Sequence, residues 1–211
     1  MRLPAFARSA RVLLTGMAAC LAAGLAAGAA AAAATWTIKP GGAVTLGLVT
    51  ATIKDTTTAA SITCKRGKPT GKLKPGSGLT GTSAGRITGG VIDGCAGPGP
   101  LPWRITLLGL PWHINLISYD GSTAVVRGTV SHLEIRAAGA GCGFVIDGTV
   151  GGALDGMVKF TDSDRTHRVK TSGGNLHIFT VNGCSGLVAS GDRVSLTASF
   201  TLAPAQVITS P

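Results

Sequence analysis

The chain has 211 residues, is 45% hydrophobic but only 4% aromatic, and carries a formal charge of +10. That length allows one large β domain or two small ones. Its 32 glycines disfavour long helices, and its apolar content with only 13% charged residues excludes a disordered chain.

Residues 1–34 read as a signal peptide. Arg2, Arg8 and Arg11 form a basic start, an apolar run follows from Val12 to Leu25, and an alanine tract ends at Ala34 before a cleavage point at Thr35. An uncleaved anchor and lipidation at Cys20 are the rival readings. Residues 35–211 then form the exported domain. Without the leader the balance is 16 Lys and Arg against 9 Asp and Glu, or +7. No transmembrane helix is expected in this mature part.

Along the mature chain, Trp36 and Ile38, then Val44, Leu46 and Leu48, alternate as in half-buried strands, with Pro40-Gly41-Gly42 as a turn. Ser61–Cys64 is a short strand. Lys65, Arg66, Lys68, Lys72 and Lys74 stand in a stretch interrupted by glycine and proline, read as a basic loop. Trp103–Leu110 and Trp112–Tyr119 are apolar strands separated by Pro111. Thr123–Ile135 is a long strand, and Phe144–Ile146 and Gly156–Thr161 are shorter ones. In Arg193–Leu202, Val194, Leu196, Ala198, Phe200 and Leu202 face one way and the hydroxyl residues the other. No stretch shows a 3.6-residue period. The pattern predicts an all-β, sandwich-like or barrel-like domain of about 10–13 short strands.

One stretch recurs. Val91-Ile92-Asp93-Gly94-Cys95 is echoed by Thr180-Val181-Asn182-Gly183-Cys184, and upstream Gly85 aligns with Gly174 and Ile87 with Leu176. Both copies read as a strand ended by a turn with left-handed glycine, so the domain is expected to have two similar halves. Removing Cys20 with the leader leaves Cys64, Cys95, Cys142 and Cys184, an even set that suits an oxidising compartment. Spacing alone allows three pairings. The repeat selects Cys64–Cys95 and Cys142–Cys184, one bridge within each half.

Trp36-x-Ile38-x-Pro40-Gly41-Gly42, Leu110-Pro111-Trp112-His113, Gly173-Gly174-Asn175-Leu176-His177 and Ile208-Thr209-Ser210-Pro211 resemble a group of exported actinobacterial proteins. The resemblance spans the mature chain and implies export. The group carries no assigned activity, cofactor or partner, so it implies no site.

Candidate chemistry is sparse. Gly81-Thr82-Ser83-Ala84-Gly85 matches the nucleophile-elbow pattern, with Asp147 and His167 or His177 in permissible order downstream, but no helix follows Ser83. Glu134 is the only glutamate, so a paired-carboxylate glycosidase would depend on turn aspartates. Asp162-x-Asp164 lacks the glycine and glutamate of a calcium loop. No cysteine pair has zinc spacing, and no cofactor is expected. Trp103 and Trp112 are expected in the core. Lys65, Arg66, Lys68, Lys72 and Lys74 are a candidate surface for an anionic cell-envelope polymer. The absence of stacking aromatics beside them argues against nucleic acid. The reading is a secreted, non-catalytic β protein of the cell surface or medium with a structural or binding role. The alternatives are a secreted serine hydrolase using Ser83 and an outer-envelope β-barrel.

Overall fold

In the computed structural model the described residues are 35–100, 102–139, 141–151, 158–161 and 168–211. The leader with Cys20, the Asp162-x-Asp164 pair and His167 lie outside them, as does the expected strand Gly156–Thr161 before Val158. Ala33–Pro211 is one compact unit.

The alternating apolar residues fold as a closed antiparallel barrel wound in simple up-and-down order. After β1 (Trp36–Lys39), the first wall strand is β2 (Gly42–Asp55), and the second is β3 (Ser61–Gly67) continued end to end by β4 (Thr70–Leu73). β5 (Gly76–Leu79) steps out of the wall, and β6 (Gly85–Gly89) with β7 (Ile92–Ala96) makes the third strand. β8 (Trp103–Leu108) and β9 (Trp112–Asp120) make the fourth, and β10 (Val125–Gly139) the fifth. β11 (Cys142–Val150) with β12 (Val158–Thr161), then β13 (Arg168–Thr171) with β14 (His177–Asn182), make the sixth and seventh. β15 (Val194–Ala203) is the eighth and pairs with β2, closing the ring, before the short β16 (Val207–Thr209). Each wall strand pairs with the next along both of its parts, the last contact being β13 with β15 and the His177–Arg193 bridge. Among the described residues there are sixteen segments where 10–13 were expected, because five of the wall strands each consist of two segments.

The two halves of the repeat are the two halves of this ring. β2, β3/β4, β6/β7 and β8/β9 occupy positions one to four, and β10, β11/β12, β13/β14 and β15 occupy five to eight. The recurring stretches therefore stand on opposite walls and run in the same direction. Both of their glycines are left-handed, with φ of 62° at Gly94 and 71° at Gly183. Only the second copy ends its strand. Asp93-Gly94 is a bulge against β8, and β7 continues past Cys95. The bridges are the expected ones and join equivalent positions, Cys64–Cys95 with Cα atoms 3.9 Å apart and Cys142–Cys184 at 4.2 Å.

Side chains alternate across the wall. Val44, Leu46, Ile53, Ile87, Ile114, Ile135 and Leu196 point inward and are buried, and their neighbours are mostly polar and solvated. β16, β1 and β5 form a separate three-stranded sheet that buries Trp36 and Ile38, tied by Gly41 N–H donating to Gln206 Oε1 at 2.9 Å. Where β8 and β11 begin, Trp103, Phe144, Leu187 and Val188 surround a void of about 20 Å³.

Candidate functional site

Register explains why the barrel is not filled. At one level the inward-facing residues of successive strands are Thr171 on β13, Ala198 on β15, Ala51 on β2, and Cys64 on β3, each directly opposite the next. Cys64 continues the row to Cys95 on β7, its disulfide partner. Five neighbouring strands thus present small side chains where the levels above and below present Leu, Ile, Phe and Val. A close-packed interior tolerates few such gaps. The result is an internal cavity of about 110 Å³. Leu46, Ile53, Ile114, Leu133, Ile135 and Phe200 supply much of the rest of its wall.

The cavity is dry by composition. Of its lining side chains only Trp112 and Thr171 carry polar atoms, and Trp112 Nε1–H is spent on the Leu108 carbonyl at 2.7 Å. Thr171 is 8% exposed, and its Oγ1 is buried without a hydrogen-bond partner among the described residues. Leaving a buried hydroxyl unpaired costs about 1–3 kcal/mol. The sequence reading missed both Thr171 and the Ala51–Ala198 pair. Their signal was present, since Ala198 interrupts an otherwise bulky inward face on β15, but only the register shows that the small residues of different strands coincide.

Ser83 has a different neighbourhood from the one expected. It sits on the turn between β5 and β6 with φ 49°, a strained conformation for a non-glycine residue. Its Oγ is 3.1 Å from Nδ1 of His113, and its N–H donates to Asn115 Oδ1 at 2.8 Å. Asn115 Nδ2 in turn donates to Thr129 Oγ1 and Ser131 Oγ, and the His113 ring meets His132 edge-on at 5.4 Å. His132 also has a positive φ, 59°, at a bulge of β10. His113 and Asn115 alternate with the inward Trp112, Ile114 and Leu116, so this network lies on the outside of the barrel. No carboxylate is bonded to His113 among the described residues. Asp147 pairs instead with His177 across β11 and β14, on another part of the wall, with Oδ1 3.0 Å from Nε2. That is ion-pair distance for a protonated imidazole, although the alignment does not make a hydrogen bond. The first glycine of the Gly81–Gly85 motif has a packing reason, because a Cβ there would strike the Leu116 carbonyl oxygen and Trp36 Nε1.

Of the five basic residues, Lys65 and Arg66 lie on β3 and Lys72 on β4, while Lys68 stands in the two-residue link between these strands and Lys74 in the link that follows β4. Ladder bonds prevail over the breakers here: Pro69 O accepts from Leu46 N–H at 2.8 Å, and Lys68 N–H donates to Val91 O at 2.8 Å. All five cations are exposed. Arg66 is taken up by Asp93 at 2.8 Å. Lys72 stands opposite Arg86, which stands opposite His113, and neither Lys72 nor Arg86 is paired with a carboxylate among the described residues. Trp103 and Trp112 are both buried, as expected of core residues.

The class of protein these features define is a closed eight-stranded antiparallel barrel with an apolar interior cavity and two bridges. No family model matches the chain, and no curated protein or solved structure is significantly similar to it.

Proposed function

We propose that this is a secreted, non-catalytic binding protein that holds a small apolar molecule inside its barrel. The observation that carries the reading is the cavity of about 110 Å³ left by facing small residues in an apolar interior. Apolar cavities of about 150 Å³ stay dry and take up benzene or xenon. Eight-stranded barrels are of the size that holds one small ligand. Export is supported by the leader's composition and by two disulfides. No helix among the described residues is long and apolar enough to cross a membrane.

The polarity of the wall favours this reading over an outer-envelope barrel. Membrane barrels turn apolar residues to lipid and polar ones to the lumen. Here the lumen is apolar, and outward positions include Thr50, Lys54, Lys72, Arg86 and Arg104. The hydrolase reading is less well supported, because Ser83 meets His113 on the outside of the barrel, no carboxylate is bonded to that histidine among the described residues, and Ser83 lines neither the apolar cavity nor the smaller void. The unpaired Lys72–Arg86 pair favours a second role, attachment to an anionic envelope polymer, since like charges placed opposite each other are stabilised by an external anion.

The test is a thermal-shift series on the purified protein with benzene, toluene and indole. Saturable stabilisation by the smallest members, lost when Ala198 is replaced by leucine, supports the proposal. No stabilisation by any of them overturns it.

A further inference from the structure

Two histidines on the outer wall stand beside the Lys72–Arg86 pair. Lys72 on β4, Arg86 on β6, His113 on β9 and Ser131 on β10 are successive partners in one outward row. His132 follows Ser131 at a bulge of β10, is exposed, and meets the His113 ring edge-on at 5.4 Å. Like charges placed opposite each other destabilise a sheet, so the fold alone gains nothing from lysine, arginine and histidine in sequence across three strands. The backbone points the same way. Ser83 and His132, which both contact the His113 ring, have φ of 49° and 59°, values that residues other than glycine rarely adopt. Such residues gather where the geometry serves a site.

The free donors suit an oxyanion. The Arg86 guanidinium offers a planar fork and Lys72 a point charge. Nδ1 of His113 is taken up by Ser83 Oγ at 3.1 Å, and Ser83 is itself held through its N–H on Asn115 Oδ1. Nε2 of His113 and both ring nitrogens of His132 have no hydrogen-bond partner among the described residues. A neutral imidazole donates from one nitrogen, and an imidazolium from both. Histidine is the side chain whose charge changes between about pH 5 and 8. From β4 and β6 the charged groups facing this pair are Lys72 and Arg86, and the β5–β6 turn adds only the neutral Ser83. On β10 the next outward residue is Glu134, opposite Asp147 of β11, but among the described residues no ion pair joins either carboxylate to His113 or His132. The cations therefore oppose protonation of the two rings until an anion arrives.

We propose that Lys72, Arg86, His113 and His132 form one site for a phosphate group of an anionic envelope polymer, and that binding places protons on the two histidines, so that attachment strengthens as pH falls. This inference rests on the cationic face being a polymer-binding surface. Strands about 4.8 Å apart make the row from Lys72 to His113 about 10 Å wide, within reach of one phosphodiester through the long lysine and arginine side chains. The two oxygens of a carboxylate would be occupied by the Arg86 fork, whereas a phosphate also bears oxygens directed elsewhere, toward the imidazoles. The coupling is reciprocal: protonation favours the anion, and the anion favours protonation.

The experiment is calorimetric titration of the purified protein with poly(glycerol phosphate) at fixed salt, at about pH 5.5 and about pH 8. The phosphodiester keeps its single negative charge across this range, so any change belongs to the protein. Binding is expected to be about tenfold tighter at the lower pH. At intermediate pH the measured heat should vary with the ionisation enthalpy of the buffer, as proton uptake requires. A His113→Gln, His132→Asn double variant should retain the affinity seen at the higher pH and lose the pH dependence; asparagine tolerates the left-handed backbone at 132. His132→Asn alone, at an exposed position, should remove part of it. Binding of equal strength at both pH values, or a pH dependence that survives in the double variant, overturns the role of the histidines and leaves the cationic face standing. Absence of binding at either pH removes the cationic face, and this inference with it.

Discussion

Filling the cavity should stabilise the protein and abolish its binding, and Ala198→Leu is the substitution to make. Ala198 is 3% exposed, lines the cavity and stands between Thr171 and Ala51. At about 24 cal/mol per Å³, a cavity of 110 Å³ corresponds to about 2.6 kcal/mol of lost packing. Leucine adds three carbons, worth at most about 2.4 kcal/mol at ~0.8 kcal/mol per buried carbon, and imperfect fit removes part of that. The expected net gain is therefore about 1–2 kcal/mol, or a rise in melting temperature of roughly 2–8 °C for a domain of this size. Ala198→Gly is the opposite perturbation and should cost about 1 kcal/mol. Calorimetry of the three proteins, with and without benzene, reads both effects. If Ala198→Leu is destabilising by more than 1 kcal/mol and benzene still binds, the small residues do not border an open space and the reasoning fails.

Four further outcomes follow from the same structure. Replacing Cys64 and Cys95 together by alanine should lower stability by about 4 kcal/mol, as should replacing Cys142 and Cys184, because each bridge closes a loop with a separation of 31 or 42 residues; equal melting of reduced and oxidised protein would contradict this. Hydrogen bonds from the Ser122 hydroxyl first, then from Thr123 and the Ser122 backbone, lower the pKa of Asp120 to about 2, so its contribution is complete above the ordinary carboxylate range and is lost as pH falls through about 2; a carboxyl NMR titration midpoint near 4 would show that the turn does not hold it. A fluorophosphonate probe should leave Ser83 unlabelled, and labelling that disappears in Ser83→Ala would instead establish an activated serine. Binding to a polyanion such as teichoic acid should weaken as salt rises, since exposed charges are screened over about 8 Å at physiological ionic strength, and should fall in a Lys72→Ala, Arg86→Ala double variant; salt-independent binding would exclude the cationic face.

The sequence revealed the fold where one strand carries its own evidence. β15 keeps strict alternation from Val194 to Leu202, and the structure buries that face. Its partner β2 reads regularly only as far as Leu48, because an extra residue at Val49 bulges between the Phe200 and Ser199 pairings and resets the alternation. The strands of the basic segment were hidden by glycine and proline, whose local preference gives way to ladder bonds on both sides. The repeat correctly placed both bridges, since equivalent ring positions bring equivalent cysteines together. The cavity could not be read this way. Thr171, Ala198, Ala51 and Cys64 are far apart in the chain, and each is unremarkable alone. Only pairing makes them one layer. Ser83 shows the converse: its motif is visible in sequence, but its histidine, His113, comes from a strand that the motif does not indicate.

The central claim is an empty, apolar, ligand-sized space inside the barrel. Xenon under pressure tests it most directly, because the gas enters dry cavities and scatters X-rays strongly. Crystals of the purified protein equilibrated with xenon should show one bound atom between Ala51, Ala198 and Thr171, and none in crystals of Ala198→Leu. A wild-type barrel that takes up no xenon at that level, with its interior filled by side chains, would contradict the account.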